Sequence, residues 1–369
     1  IRNCDFLAEA RKAAQKSIVL LKNENHLLPL AKDIKSIAVV GPLADNKQYL
    51  RDYWAGKGEV NDYVTLLEGL KNNLPSHIKI NYAKGCDVTG TDCSFFSEAV
   101  EAANQSELVI AAIGERASMS GEDASRADIS IPGVQEELVQ ALLDTGKPVV
   151  VVLMNGRPLT ISKLTEQVPA IVEGWFLGTE TGNAIADVLL GKYNPSGKLT
   201  MSFPRNVGQI PVFYNYRQSG RPGTDKLTKW TNRFIDSPVS PLYPFGYGLS
   251  YTTFSYSAPR VSQKEFSTNE ILKVSVDVTN TGQYDGEETI QLYIRVIASV
   301  TRPVKELKGF KKIFLRKGET RTVGFELRAE DLSFLSQDME PVIESGEFIL
   351  MTGPNSKDVQ SVKVKFVKP

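Results

Sequence analysis

The sequence predicts an α/β protein built in two stages: a mainly parallel-sheet α/β sandwich followed by an antiparallel β-sandwich. Three observations carry this prediction. Up to about residue 205, continuous apolar runs rich in β-branched residues alternate with amphipathic helical periods, as in a parallel sheet covered on both faces. From Gly191 onward, Pro and Gly recur at close spacing and helical periodicity disappears. In the last hundred or so residues, alternating β-rich runs are separated by turn residues, and only AEDLSFL offers a short helical turn. These textures divide the chain into an α/β domain over 1–205, an extended wrapping linker over 206–258, and a β-sandwich of about seven strands over 259–369.

The elements follow in order. A first helix is expected with Asp5 as its cap and Leu7, Ala10, Ala14, Ile18 and Leu21 as its apolar stripe. LKNENHLLPL then breaks the period. Strands are expected at IKSIAVV, IKINYA, ELVIAAIG, PVVVVLMN and PAIVEGWF, and helices at TLLEGLKNNL, FSEAVEAANQ, VQEELVQALLDTG and TGNAIADVLLG. The linker tract RQSGRPGTDKLTKWTNRFIDSPVSPLYPFGYGLSYTTF has no helical period and is dense in aromatics. Loops of this length usually carry function or wrap one domain onto another. Rings at Tyr243, Phe245, Tyr247 and Tyr251 fit interdomain packing better than sugar stacking, whereas Trp230 and Phe234 fit either.

Composition narrows the function. Forty-three basic and 43 acidic residues give a formal net charge of +0, so no basic field points to nucleic acid or an anionic membrane. A neutral ligand is the simpler expectation. No uninterrupted apolar stretch approaches the ~18–20 residues of a membrane span. The first residue is not Met, and IRNCDFLAEARK does not read as a signal peptide, so the chain reads as a piece of a longer protein. Neither GxGxxG nor GxxxxGK[ST] occurs, which disfavours a dinucleotide or phosphate site. His26 and His77 lie at no ligand spacing from the cysteines, so neither metal nor cofactor is expected. Cys86 and Cys93 could close a small bridged loop in an oxidising compartment or stand as two unrelated thiols, with Cys4 left over.

Chemistry is expected in the polar loop between the strand ELVIAAIG and the helix that follows Pro132-Gly133. Loops that leave the carboxyl edge of an open α/β sheet are where ligands bind. This one offers Glu115, Glu122 and Asp123 as carboxylates, with Arg126 and Asp128 beside them.

Several segments resemble the C-terminal half of family 3 glycoside hydrolases, and the bacterial periplasmic β-glucosidases in particular. They are SIVLLKNENHLLPL, SIAVVGPLADN, GKPVVVVLMNGRP, TETGNAIADVLLGKYNPSGKLTMSFPRNVGQIPVFY, LYPFGYGLSYTTF, and VTNTGQYDGEETIQLYI with TRPVKELKGF. They span nearly the whole chain in the family's order. The resemblance implies that the last domain is fibronectin type III-like, an Ig-like sandwich, and that a β/α barrel precedes the chain, in cis or as a companion fragment. It also implies retaining hydrolysis of terminal non-reducing β-D-glucosyl residues, with a β-glucoside or oligosaccharide as substrate and a periplasmic or secreted location.

Members of this type place the acid/base Glu a few residues before an Arg-x-Asp-[IV] segment, and that pattern falls here on Glu122 before Arg126-Ala127-Asp128-Ile129. Glu115 and Asp123 are the next candidates. Arg126 and Asp128 are expected to pin the loop, as is Asn155-Gly156-Arg157-Pro158 after the next strand, with sugar contact at Asp123 and Arg126 as the other possibility. Trp54, in a loop on the same edge, suits a leaving-group subsite or packing against the barrel, and Trp230 is a further candidate for substrate contact. The nucleophile motif Ser-Asp-[Trp/Tyr] and the barrel's Lys-His and Arg residues are missing, and Asp52 in LRDYWAG has no buried strand leading into it. The chain is therefore expected to hold half an active site and to hydrolyse little alone. A non-catalytic carbohydrate-binding or scaffolding module is the alternative. Oligomeric state is open, and a homo-oligomer is compatible.

Overall fold

The computed structural model describes residues 3–51, 54–56, 58–122, 125–225, 230–297 and 301–368. Two compact units emerge. One comprises 1–198, 204–210 and 248–251, and the other 199–203, 211–247 and 252–369. Much of the tract read as a wrapping linker thus clusters with the second unit.

In the first unit, α1 (Cys4–Ser17) is capped by Asn3, whose side chain accepts the Phe6 N–H at 2.8 Å. Asp5, the expected cap, lies inside the first turn, where its charge complements the helix dipole. The helix also stops earlier than its apolar stripe suggests. Ile18 is already extended, and Val19–Asn23 forms β1, which pairs antiparallel with β6 (Ala170–Glu173). The run Ile18-Val19-Leu20-Leu21 is buried throughout, so pairing at the sheet edge overrides a helical period that Ile18 and Leu21 happened to continue.

The remaining elements are β2 (Ser36–Val40), α2 (Lys47–Leu50), α3 (Leu66–Asn73), β3 (Lys79–Ala83), α4 (Phe96–Asn104) and β4 (Leu108–Gly114). They continue with α5 (Gln135–Leu143), β5 (Val149–Met154), α6 (Ser162–Gln167), β6 and α7 (Thr181–Leu189). A full capping box starts α3, with Thr65 and Glu68 each bonding the other's backbone N–H. The short α6 had no clear period in the sequence, yet a parallel β5–β6 pair requires a crossover there.

Sheet order is β1-β6-β5-β4-β2-β3, and every pairing except β1–β6 is parallel. β4 and β5 are buried along their whole length, which explains their unbroken apolar sequences. Because β3 and β4 flank β2 on opposite sides, the chain direction reverses between β2 and β4. That topological switch opens a crevice at the strands' carboxyl ends.

The second unit packs two sheets. One contains β7 (Phe254–Tyr256), β8 (Arg260–Val261), β10 (Leu272–Asn280) and β13 (Thr320–Leu327). The other runs β12 (Glu306–Leu315), β11 (Gly286–Val296), β16 (Gly346–Gly353), β17 (Gln360–Val367), β9 (Glu265–Ser267). A small hairpin joins β14 (Phe334–Leu335) to β15 (Pro341–Val342). Pairing is antiparallel except for β9–β17, which is parallel. Leu272, Val274, Val276 and Val278 alternate inward from β10 onto Ile290, Leu292 and Phe348.

The aromatics between 243 and 251 are packing residues. Tyr243 stacks on Tyr247 at 5.0 Å and meets Phe203 edge-on at 6.0 Å, while Tyr214 stacks on Phe245 at 4.3 Å. In the first unit, the Tyr251 hydroxyl donates to the Val188 carbonyl at 2.8 Å. All three cysteines are free, with Cys86 buried and Cys93 exposed, so the Cys86–Cys93 bridge is not formed. Burial pushes the Cys86 thiol up to about 12.

Candidate active site

Strands β4, β5 and β6 end side by side, and each carries a polar residue just at or past its carboxyl end: Glu115, Asn155 and Glu173. All three are fully buried. A buried charge needs partners, and Glu115 has two. Arg126 Nη1 donates to its Oε1 at 2.8 Å, and Arg157 Nε stands 3.3 Å from Oε2 as an ion pair without hydrogen-bond alignment. Arg157 also donates to Ser125 Oγ at 3.0 Å and to the Met119 carbonyl. One arginine from the β5 loop therefore ties together three points of the β4 loop.

Asn155 extends the network. Its Nδ2 donates to the Arg157 carbonyl at 2.8 Å and to Glu173 Oε2 at 3.2 Å, while Glu173 Oε1 accepts the Trp175 N–H at 3.0 Å. Trp175 sits at a left-handed φ of 48°, uncommon for a bulky residue. Burial raises the Glu173 carboxyl to about 8. The bonds from Trp175 and Asn155 oppose that shift, and the charge of Glu115 adds to it.

The base of the β4 loop is closed by Gln135, the first residue of α5. Its Nε2 donates to the carbonyls of Val88, Gly114 and Pro132 at 2.9–3.0 Å, and its Oε1 accepts the Gly114 N–H at 2.9 Å. Gly114 itself is irreplaceable on steric grounds: its φ is 138°, and a Cβ there would lie 2.2 Å from the Met154 carbonyl oxygen. On the far side of the loop, the Thr160 N–H donates to Ile129 O at 2.9 Å, and Asp128 accepts the Ser130 N–H at 2.9 Å.

Glu122 is exposed, and among the described residues no ion pair engages it. Asp123 lies outside the described residues. Arg126 is committed to Glu115 and so serves as a pin, which leaves sugar contact without support from its geometry. Trp54 is 67% exposed on the loop after α2, in the same unit as Glu122. Trp230, 68% exposed, belongs to the second unit. A cavity of about 430 Å³ opens where the β2 and β4 loops meet, at the topological switch. Its walls include Gln48, Tyr49 and Arg51 on one side and Arg116 and Ser118 on the other.

Gln135 and Glu173 were not picked out by sequence reasoning, though both left a signal. Gln135 heads the buried stripe Leu138, Val139, Leu142 at helical spacing, and Glu173 closes the apolar run AIVE. A polar residue inside an apolar period marks a site where a buried partner must exist.

The fold is an α/β sandwich with a carboxylate-bearing loop on its switch-point edge, joined to a β-sandwich, and comparison with known proteins gives the family. Residues 18–251 match the glycosyl hydrolase family 3 C-terminal domain, and residues 288–356 match a fibronectin type III-like domain. The chain belongs to glycosyl hydrolase family 3. It is 46% identical to a periplasmic beta-glucosidase of Salmonella typhimurium over 95% of its own length and 49% of that protein's. A beta-xylosidase of Formosa agariphila is also 46% identical, over 96% of this chain and 49% of the relative. Among solved structures, a beta-glucosidase from Listeria innocua in complex with isofagomine superimposes with a TM-score of 0.94 at 39% identity, covering 100% of this chain and 51% of that one. The chain thus spans about half the length of the curated relatives it matches.

Proposed function

We propose that this chain supplies the acid/base half of a retaining β-glycosidase active on terminal non-reducing β-D-glucosyl residues, with Glu122 as the acid/base. The observation that supports it is the state of the carboxylates in the β4 loop. Glu115 is buried between two arginines and Asp128 caps its own turn through the Ser130 N–H, whereas Glu122 is exposed and, among the described residues, engaged by no ion pair. The four ties at Gln135, Glu115, Arg157 and Thr160 fix the loop that carries it.

In this reading the nucleophile is an Asp from a β/α barrel, present in cis or as a companion fragment. As it attacks the anomeric carbon, the Glu122 carboxyl donates its proton to the departing glycosidic oxygen. In the second step the Glu122 carboxylate takes a proton from water, whose oxygen then displaces the enzyme carboxylate from the sugar. A barrel covering the loop would exclude water from Glu122 and set the charge of the nucleophile beside it. Forming the glycosyl-enzyme removes that charge and prepares the base step. Alone, the chain hydrolyses little.

The glucosyl preference follows the family resemblance, and barrel residues are the ones that would choose between glucosyl and xylosyl. A periplasmic or secreted location accompanies the reading. The test is intact-mass analysis of the barrel-containing Glu122→Ala protein mixed with a dinitrophenyl β-glucoside. The activated leaving group departs without acid assistance, so the glycosyl-enzyme should accumulate. Wild-type turnover without accumulation would refute the assignment.

A further inference from the structure

Among the described residues, the Arg116 guanidinium has no carboxylate to answer it. Arg116 follows Glu115 on extended backbone, with φ −86° and ψ 156°, so the two side chains leave on opposite sides of the chain. Glu115 goes into the buried network and Arg116 into the wall of the cavity at the topological switch. Its Nε is buried without a hydrogen-bond partner, and among the described residues no ion pair engages it. Arg51, across the cavity, donates from Nη2 to the Gly56 carbonyl at 3.2 Å. No Asp or Glu lines the cavity among the described residues.

Other partly buried arginines of this unit behave differently. Arg11 faces Asp187, and Arg126 and Arg157 share Glu115. Two guanidiniums around one open cavity, with a buried donor left unanswered, are the reverse of what a neutral ligand needs. Planar donor forks match the geometry of a planar or tetrahedral oxyanion. The cavity volume, about 430 Å³, suits a single sugar ring or aryl group.

We propose that this cavity recognises an oxyanion, a carboxylate or sulfate, on the leaving-group side of the substrate, held by Arg116 and Arg51. The proposal rests on the reading of Glu122 as the acid/base, which places the leaving group beside this loop. The chain's neutral overall charge does not oppose it, because the two charges are local. No phosphate-binding loop is involved, since recognition runs through side chains.

The test compares 4-carboxyphenyl and 4-(sulfooxy)phenyl β-glucosides with neutral 4-carbamoylphenyl β-glucoside, using the barrel-containing protein as wild type, Arg116→Met and Arg116→Lys. The readout is the ratio of kcat/KM for each anionic substrate over the neutral one, so leaving-group electronics cancel between variants. The wild type should exceed Arg116→Met in this ratio by roughly tenfold or more, as for hydrogen bonds to a charged group, with Arg116→Lys between them. Added salt should compress the difference. The carboxylate and sulfate arms identify which oxyanion is preferred. An identical ratio in wild type and Arg116→Met would overturn the proposal, and is the result expected if Arg116 pairs with a carboxylate elsewhere in the protein. Should none of the glucosides turn over, the glycosidase reading fails by itself. Calorimetric titration with the matching thioglucosides then still decides the point, since absence of tighter anion binding in wild type than in Arg116→Met overturns it.

Discussion

Arg126 donates a 2.8 Å hydrogen bond to Glu115, a carboxylate with no solvent-exposed surface, across a loop of ten intervening residues. That bond, with the second pair from Arg157, turns an otherwise irregular loop into a fixed support for Glu122. Removing one partner of a buried pair leaves an under-compensated charge behind. Arg157→Met should therefore destabilise the protein by about 2–4 kcal/mol in urea unfolding, and Glu115→Gln by less, because it removes the charge along with the need for partners. If Glu115→Gln proved the more damaging of the two, the network would not be organised around compensating Glu115.

Glu173 gives a pH signature. Its carboxyl is raised to about 8 in the fold, so between the ordinary carboxylate range and about pH 8 the native state holds a proton that the unfolded state has lost. Stability from this group is complete at low pH, falls as pH rises through that window and levels off above it. The drop is on the order of 5 kcal/mol. Glu173→Gln, a mimic of the protonated form, should flatten this part of the stability profile. Unfolding free energies measured from pH 5 to 9 check it, and a profile that rises over the window in wild type would contradict it.

Gln135 should behave as a structural keystone. Replacing it with Leu strands the Gly114 N–H and the carbonyls it serves, at about 2–4 kcal/mol. The loss should fall harder on unactivated glucosides, which depend on a positioned acid, than on dinitrophenyl substrates. Equal losses on both would mean that the loop base does not govern the position of Glu122.

Close backbone contact makes Gly182 sensitive as well. A Cβ there would lie 1.8 Å from the Thr65 carbonyl oxygen, where α7 approaches the start of α3. Gly182→Ala should cost about 3 kcal/mol or prevent folding, readable as a fall in Tm. A Tm within a degree or so of wild type would show that α3 and α7 can part without penalty.

Much of this architecture was legible in the sequence because burial on both faces leaves continuous apolar runs. The unbroken sequences of β4 and β5 announce a covered parallel sheet, and β10 announces a sandwich by strict alternation. What escaped depends on long-range pairing. Val19–Asn23 becomes a strand only because β6 lies beside it, and Ile18 and Leu21 look helical without that partner. The same holds at the site. The loop and its carboxylates could be found locally, but the burial of Glu115 and Glu173 arises from strands far apart in the chain that end side by side. Arg116 and Arg51, 65 positions apart, likewise share a cavity only once β2 and β4 are neighbours.

The most direct test of the account is chemical rescue. The barrel-containing protein carrying Glu122→Ala is assayed on a dinitrophenyl β-glucoside with and without azide, and the product is identified. Deglycosylation should be slow without azide, and azide should restore turnover while yielding the β-configured glycosyl azide, the outcome of two inversions with the base step bypassed. Wild-type turnover on unactivated cellobiose by the same variant, with no azide product, would contradict Glu122 as the acid/base and remove the function from this loop.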